Sequence, residues 1–202
     1  MTPPALIFDC DGTITDSMPV HYLSWHATLS RHGVVFEEDR FYALGGMPTD
    51  KIIAMLSTEQ GVPLDAMRIA AEKEADFLSV IHLIEAIEPV ARVIRENYGR
   101  TKMAVASGGW TAVVRRQLEQ INYLHYFDAI VCAEDTERHK PEPDCFLEAA
   151  RRLGAQPQHC VVYEDSDLGI EAAKRAGMQW IDVRAWHTPK RHGAAVLENR
   201  HK

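Results

Sequence analysis

The chain has 202 residues, 46% of them hydrophobic and 25% charged, enough for one well-buried domain or a core with a small insert. Asp and Glu number 29 against 22 Lys and Arg, a formal net charge of -7 that gives no argument for nucleic acid, whose binders usually carry a basic face. The longest apolar runs fall far short of the ~20 residues a membrane span needs, and Cys10, Cys132, Cys145 and Cys160 form no C-x-x-C pair and follow no secretory pattern, so the expected setting is reduced and cytoplasmic.

Ala5-Leu6-Ile7-Phe8 is a short, wholly apolar run that stops at Asp9, with Gly12 and Thr13 turning the chain. It reads as a central strand of a parallel sheet. From about Asp16 to Ile87 the pattern is helical instead: His21-Tyr22-Leu23-Trp25-Leu29, then Ile52-Ile53-Leu56, then Met67 to Ile81. Gly33, Gly45-Gly46, Pro48, Gly61 and Pro63 punctuate it. The simplest organisation is a small all-helical cap, residues 16–87, inserted into an α/β core formed by residues 1–15 and 88–202. Helices that merely flank the sheet are the alternative.

Strands and helices then alternate. Val90, Val93 and Ile94 share a helical face, and Met103-Ala104-Val105-Ala106 is a strand ending at Ser107-Gly108-Gly109. A helix starting near Trp110 carries Val113, Val114, Gln117 and Leu118 on one face, before a strand at Ala129-Ile130-Val131-Cys132. Pro141 and Pro143 introduce a helix with Phe146, Leu147, Ala150 and Leu153, closed by Gly154. The strand Cys160-Val161-Val162-Tyr163 ends at Glu164-Asp165, and a helix with Ile170, Ala173 and Ala176 is closed by Gly177. Trp180-Ile181-Asp182-Val183 is a fifth strand. This rhythm argues a doubly wound, mostly parallel, Rossmann-like core. The tail from His187 to Lys202 is polar and basic, apolar only from Ala194 to Leu197.

In open α/β sheets, ligands bind beyond the carboxyl ends of the strands. Here those ends bring Asp9 and Asp11, Ser107, Lys140, and Glu164 with Asp165. Two carboxylates two residues apart repel unless a cation joins them. With Glu164 and Asp165 they make an oxygen-rich site suited to Mg²⁺. For Asp9 alone, an acidic turn capping amides is the competing reading. Ser107-Gly108-Gly109 ahead of a helix start is a natural phosphate cradle, although serine is also a common helix cap. Lys140, in a loop stiffened by Pro141 and Pro143, can neutralise a phosphate and a nucleophilic carboxylate; a solvated lysine is the alternative.

Asp9-Cys10-Asp11-Gly12-Thr13, Ser107-Gly108-Gly109, Lys140-Pro141 and Glu164-Asp165-Ser166 occur in the order seen in the haloacid dehalogenase-like hydrolase superfamily, which the chain resembles over all but its tail. Glu164-Asp165-Ser166 followed by Gly169, Ala172-Ala173 and Ala176-Gly177 resembles the beta-phosphoglucomutase-like branch, as does the helical insert. Gly46-Met47-Pro48-Thr49, Tyr126-Phe127-Asp128-Ala129 and Gly177-Met178 are similar to bacterial sugar phosphatases that act on fructose-1-phosphate and 6-phosphogluconate. The resemblance implies that Asp9 attacks phosphorus to form an aspartyl-phosphate. Asp11 then protonates the departing sugar oxygen and later helps deprotonate the hydrolytic water. It implies Mg²⁺ held by the Asp9 carboxylate, the Asp11 backbone carbonyl, Asp165, and Glu164 directly or nearby. Ser107, Gly108 and Gly109 would bind phosphate, and Lys140 would neutralise charge. Asp167 ranks lower as a ligand, because an acid on a helix's first turn is explained by capping.

The substrate is expected to be a small phosphorylated sugar or polyol, chosen by cap residues. His21 lies twelve residues after Asp9, as in the mutase branch, and Trp25 one helical turn further on the same face. Gly46, in a cap loop, and Lys73 are the other candidates. A surface histidine, a core aromatic and a solvated lysine are the plain readings of His21, Trp25 and Lys73. Thr49 stands where the mutase resemblance calls for an arginine gripping a second phosphate, which favours a phosphatase over a mutase. A dehalogenase leaves Asp11 and the acidic site without a task, and a non-catalytic binder should have lost Asp9, Asp11 or Lys140. Cys10 should point away from the two aspartates and pack. A monomer or weak homodimer is expected.

Overall fold

The computed structural model describes residues 5–189; the expected tail lies outside these from residue 190 on. Five strands form one sheet: β1 (Ala5–Phe8), β2 (Met103–Ala106), β3 (Ala129–Val131), β4 (Cys160–Glu164) and β5 (Gln179–Asp182). They lie in the order β3-β2-β1-β4-β5, and every pairing is parallel. From β1 the chain first builds outward through β2 and β3, then crosses back to add β4 and β5. The direction therefore switches between β1 and β4, where a crevice opens at the strands' carboxyl ends.

Strand alternation assigns each side chain to a layer. Ala5 and Ile7 of β1 face one side, with Phe146, Ala149 and Ala173 from α7 (Asp144–Leu153) and α8 (Asp167–Arg175). Leu6, Phe8 and Cys10 face the other, against Val90, Ile94, Val114 and Leu118 from α5 (Glu88–Asn97) and α6 (Thr111–Gln120). Helices cover both faces, which is why these strands are apolar throughout. Cys10 is fully buried there, its thiol 3.9 Å from Thr15 Oγ1. All four cysteines are free and buried.

Between β1 and α5 come α1 (Met18–Arg31), α2 (Glu38–Ala43), α3 (Thr49–Gln60) and α4 (Ala66–Ser79). They pack around their own core of Trp25, Leu29, Phe36, Phe41, Ile53, Leu56 and Ile69. A smaller cluster, Val20, Phe77, Ile81 and Ile84 with Val113, ties this helical cap to α6.

Several local expectations shift. α2 has too few turns to show a periodic pattern. β3 ends at Val131 and Val183 begins a 3-10 turn, so both outer strands are shorter or displaced by a residue. Leu147 is exposed, because the buried stripe of α7 is Phe146, Ala149, Ala150 and Leu153, spaced i, i+3, i+4, i+7.

Candidate active site

Asp9 is the residue at which β1 stops, and its amide donates to Tyr163 O of β4 at 3.0 Å, so the sheet itself fixes its position. Its carboxylate is buried and accepts from Lys140 Nζ at 2.5 Å. Lys140, also buried, donates to Glu164 Oε1 at 2.8 Å. Glu164 ends β4; its Oε2 accepts the amides of Asp165 and Ser166 at 2.5 and 2.8 Å. Asp165 Oδ1 accepts from Thr13 Oγ1 at 3.1 Å.

Two glycines make this packing possible. Gly12 has φ +82°, and a Cβ there would fall 2.2 Å from Asp165 Oδ2. Gly169, on the first turn of α8, leaves room for Glu164: a Cβ would fall 1.5 Å from Oε1. Ser166 caps α8 by accepting from Gly169 N at 3.0 Å. Asp167 pairs with Arg184 at 2.8 Å and is not among the clustered carboxylates Asp9, Glu164 and Asp165.

Oxygens of Asp9, Glu164 and Asp165 lie within 4.8 Å of one another. Lys140 is bonded to two of these three carboxylates, and Asp9 and Glu164 are buried while Asp165 is half-buried. Burial first, then repulsion from Glu164 and Asp11, pushes Asp9 up to about 8 despite Lys140. Burial, Glu164 and Asp9 push Asp165 well above the carboxylate range. Burial works against the Lys140 ammonium, but Asp9 and Glu164 outweigh it and hold its pKa well above the usual lysine value. An all-oxygen donor set with this excess of negative charge fits a hard divalent cation.

The Asp11 carboxylate turns away from this cluster. Its Oδ1 accepts from Ser17 Oγ at 2.6 Å, His21 Nε2 at 2.8 Å and Gln117 Nε2 at 2.9 Å. Lys73 Nζ lies 2.7 Å from His21 Nδ1. An ammonium only donates, so Nδ1 accepts and Nε2 carries the hydrogen given to Asp11. Burial would raise the Asp11 pKa, yet His21, Ser17 and Gln117 together hold it well below the usual carboxylate range. Gln117 is itself fixed by Thr15 Oγ1 at 2.9 Å. In the sequence Gln117 reads as part of a packing face, and Ser17 carries no local signal. A glutamine inside an apolar stripe was the available signal.

Ser107 follows β2, is buried, and its Oγ accepts from the Gly109 amide at 3.0 Å. Glu134 accepts from the Thr111 amide at 3.0 Å. Among the described residues, the Gly108 and Trp110 amides carry no hydrogen bond, which leaves them as donors at the start of α6.

A cavity of about 90 Å³ lies between the carboxyl ends of the strands and the cap. Asp9, Asp11, Ser107, Gly108, Gly109, Glu164 and Asp165 line its floor; His21, Trp25, Gly46, Thr49, Lys73 and Glu74 line the cap side. Lys140 is not part of the lining but reaches Asp9 at 2.5 Å, its side chain passing close to Gly46. Lys73 is 2% exposed, too buried for the solvated-lysine reading, and sits 5.4 Å from the centroid of the Trp25 ring. His21 stacks on Phe77 at 3.7 Å. Thr49 donates to Glu74 Oε1 at 3.0 Å. Glu74 escaped sequence reading because a charged residue on a helix ordinarily faces solvent.

The family described as haloacid dehalogenase-like hydrolase matches residues 6–183. A relative named fructose-1-phosphate phosphatase YqaB, from Escherichia coli (strain K12), is 40% identical over 89% of this chain and 95% of its own. CbbY from Rhodobacter sphaeroides, solved with phosphate, superposes with a TM-score of 0.81 at 26% identity, covering 89% of this chain and 85% of that one. Beta-phosphoglucomutase from Clostridium difficile superposes at 0.78 and 26% identity, covering 89% and 84%.

Proposed function

The chain belongs to the haloacid dehalogenase-like hydrolase family, and from that premise we propose that it is a Mg²⁺-dependent phosphatase of a small sugar phosphate, fructose-1-phosphate or 6-phosphogluconate-like. The observation that carries the reading is the buried Asp9 carboxylate, 2.5 Å from Lys140 and clustered with Glu164 and Asp165. The 40% identical phosphatase supports hydrolysis of a phosphoric monoester.

In this reading Asp9 is the nucleophile. Its carboxylate attacks phosphorus, the P–O bond to the sugar breaks, and an aspartyl-phosphate forms on Asp9. Lys140 lowers the repulsion between that carboxylate and the phosphate anion. Ser107 and the free amides of Gly108 and Trp110 hold the phosphate oxygens. Asp9, Asp165 and Glu164 would hold the cation with the backbone carbonyl of Asp11, and its bound charge neutralises the phosphate.

Asp11 gives a proton to the departing sugar oxygen and takes one from the water that attacks the aspartyl-phosphate, whose P–O bond to Asp9 breaks to release inorganic phosphate. The shell of Ser17, His21 and Gln117 favours its carboxylate, the form that the second task needs. Donating a proton needs that shell loosened, and two of its three members belong to the cap side. The cavity between the floor and the cap, residues 16–87, is partly open to solvent, and a cap closed over a bound sugar phosphate would exclude water from it.

A beta-phosphoglucomutase is the second reading, kept by His21 and Lys73 and by the likeness to a mutase structure. Thr49 argues against it: its hydroxyl is engaged by Glu74 and it offers no guanidinium to a second phosphate. The test is phosphate release from a panel of sugar phosphates with and without Mg²⁺, beside an assay for glucose-6-phosphate formed from beta-glucose-1-phosphate. Metal-stimulated phosphate release is expected; dominant isomerisation would replace the phosphatase by the mutase.

A further inference from the structure

Glu74 sits on α4, with its side chain only 10% exposed, and lines the cap side of the cavity. Its two oxygens are treated unequally. Oε1 accepts from Thr49 Oγ1 at 3.0 Å and from Lys73 Nζ at 3.1 Å. Oε2 is buried and has no hydrogen-bond partner among the described residues. Native interiors hold few unpartnered polar atoms, and this one belongs to a residue lining the cavity, where an ordered water or a ligand hydroxyl can supply the donor.

The donor's chemistry follows from the surroundings. Lys73 is the one Lys or Arg side chain among the residues lining the cavity. Two of its three hydrogens go to His21 Nδ1 and Glu74 Oε1, and its charge is matched by Glu74. Thr49 turns its hydroxyl to the same carboxylate. The cap side thus offers an unpaired acceptor and no surplus positive charge. A sugar hydroxyl carries the hydrogen that Oε2 lacks; a second phosphate or a sugar carboxylate brings further acceptors and negative charge.

We propose that Glu74 is a specificity-determining residue whose Oε2 accepts a hydroxyl of the sugar, which makes the substrate a monophosphate ester of a neutral sugar or polyol and disfavours sugar acids and bisphosphates. This rests on the phosphatase reading and narrows it, since it sets fructose-1-phosphate above 6-phosphogluconate. It predicts that the enzyme discriminates within pairs sharing one carbon skeleton.

The test measures kcat/KM, with Mg²⁺, for fructose-1-phosphate against fructose-1,6-bisphosphate, glucose-6-phosphate against 6-phosphogluconate, and p-nitrophenyl phosphate as an ester without sugar hydroxyls. Wild type should prefer the neutral member of each pair by at least about tenfold. In Glu74→Gln, which removes the charge and offers N–H donors, that preference should narrow at least about tenfold, and sugar esters should lose at least about tenfold relative to the aryl ester. Equal or better use of the anionic members by wild type would overturn the proposal, and this arm decides alone if Glu74→Gln fails to fold. An equal loss on every ester in Glu74→Gln would also overturn it. Failure of the phosphatase reading would look different: wild type would release no phosphate from any ester, the aryl one included.

Discussion

Two charged clusters face each other across one cavity, and they are built on different plans. On the floor, Asp9 and Glu164 stand at the ends of adjacent central strands, and the amides of Asp165 and Ser166 hold Glu164. In the cap, His21 and Lys73 come from helices whose residues lie 52 positions apart, and they meet only because α1 packs against α4. Backbone sets the floor, whereas side-chain packing sets the cap. Chemistry that must stay constant belongs on the rigid part, and substrate choice belongs where one substitution reshapes the lining.

The largest effect should come from Asp9→Asn. Turnover should fall roughly 10⁴-fold or more, with the thermal unfolding transition kept, because an amide fits the same space and removes one carboxylate from an overloaded group. Lys140→Met comes next. It leaves Asp9, Glu164 and Asp165 without their cation, so denaturant unfolding in metal-free buffer should show a loss of about 3–5 kcal/mol. Added Mg²⁺ should restore part of that, since the metal supplies the missing positive charge.

The third effect is one of pH. In the metal-free fold burial pushes Asp9 up to about 8, from an ordinary 3.8. The folded state therefore binds a proton that the unfolded chain has lost between those values. Its contribution to stability is complete below the unfolded value and is lost as pH rises through about 8. A cation must displace that proton. Apparent Mg²⁺ affinity should rise with pH over the range in which Asp9 and Asp165 hold protons, by up to about tenfold per pH unit for each proton displaced. Calorimetry in two buffers of different ionisation enthalpy counts the protons released; affinity flat from pH 6 to 9 would break the account of the floor. Thr49→Val should be mildest, costing about 0.5–1.5 kcal/mol through one lost hydrogen bond to Glu74. If it cost as much as Lys140→Met in the same denaturant titration, the contrast between floor and cap would fail.

The same contrast explains what could be read from sequence. Asp9, Ser107 and Glu164 each follow an apolar run that can only be a buried strand, so their meeting at one sheet edge follows from topology. The helix stops at Gly154 and Gly177 were legible for a similar local reason. Glu74, Gln117 and Ser17 were not, because each does its work through a partner elsewhere in the chain. Lys73 was legible only as a candidate: nothing local distinguishes a lysine over a tryptophan from one in water. Leu147 was misjudged because a helical stripe one residue wider fits the same letters.

The most direct test is to trap the phosphoryl group in transit. Wild-type enzyme turning over a radiolabelled sugar phosphate with Mg²⁺ is quenched in acid and digested, and the label is mapped. The account predicts a hydroxylamine-labile acyl phosphate on the peptide bearing Asp9, absent from Asp9→Asn. Label on any other residue, or undiminished phosphate release by Asp9→Asn, would contradict it.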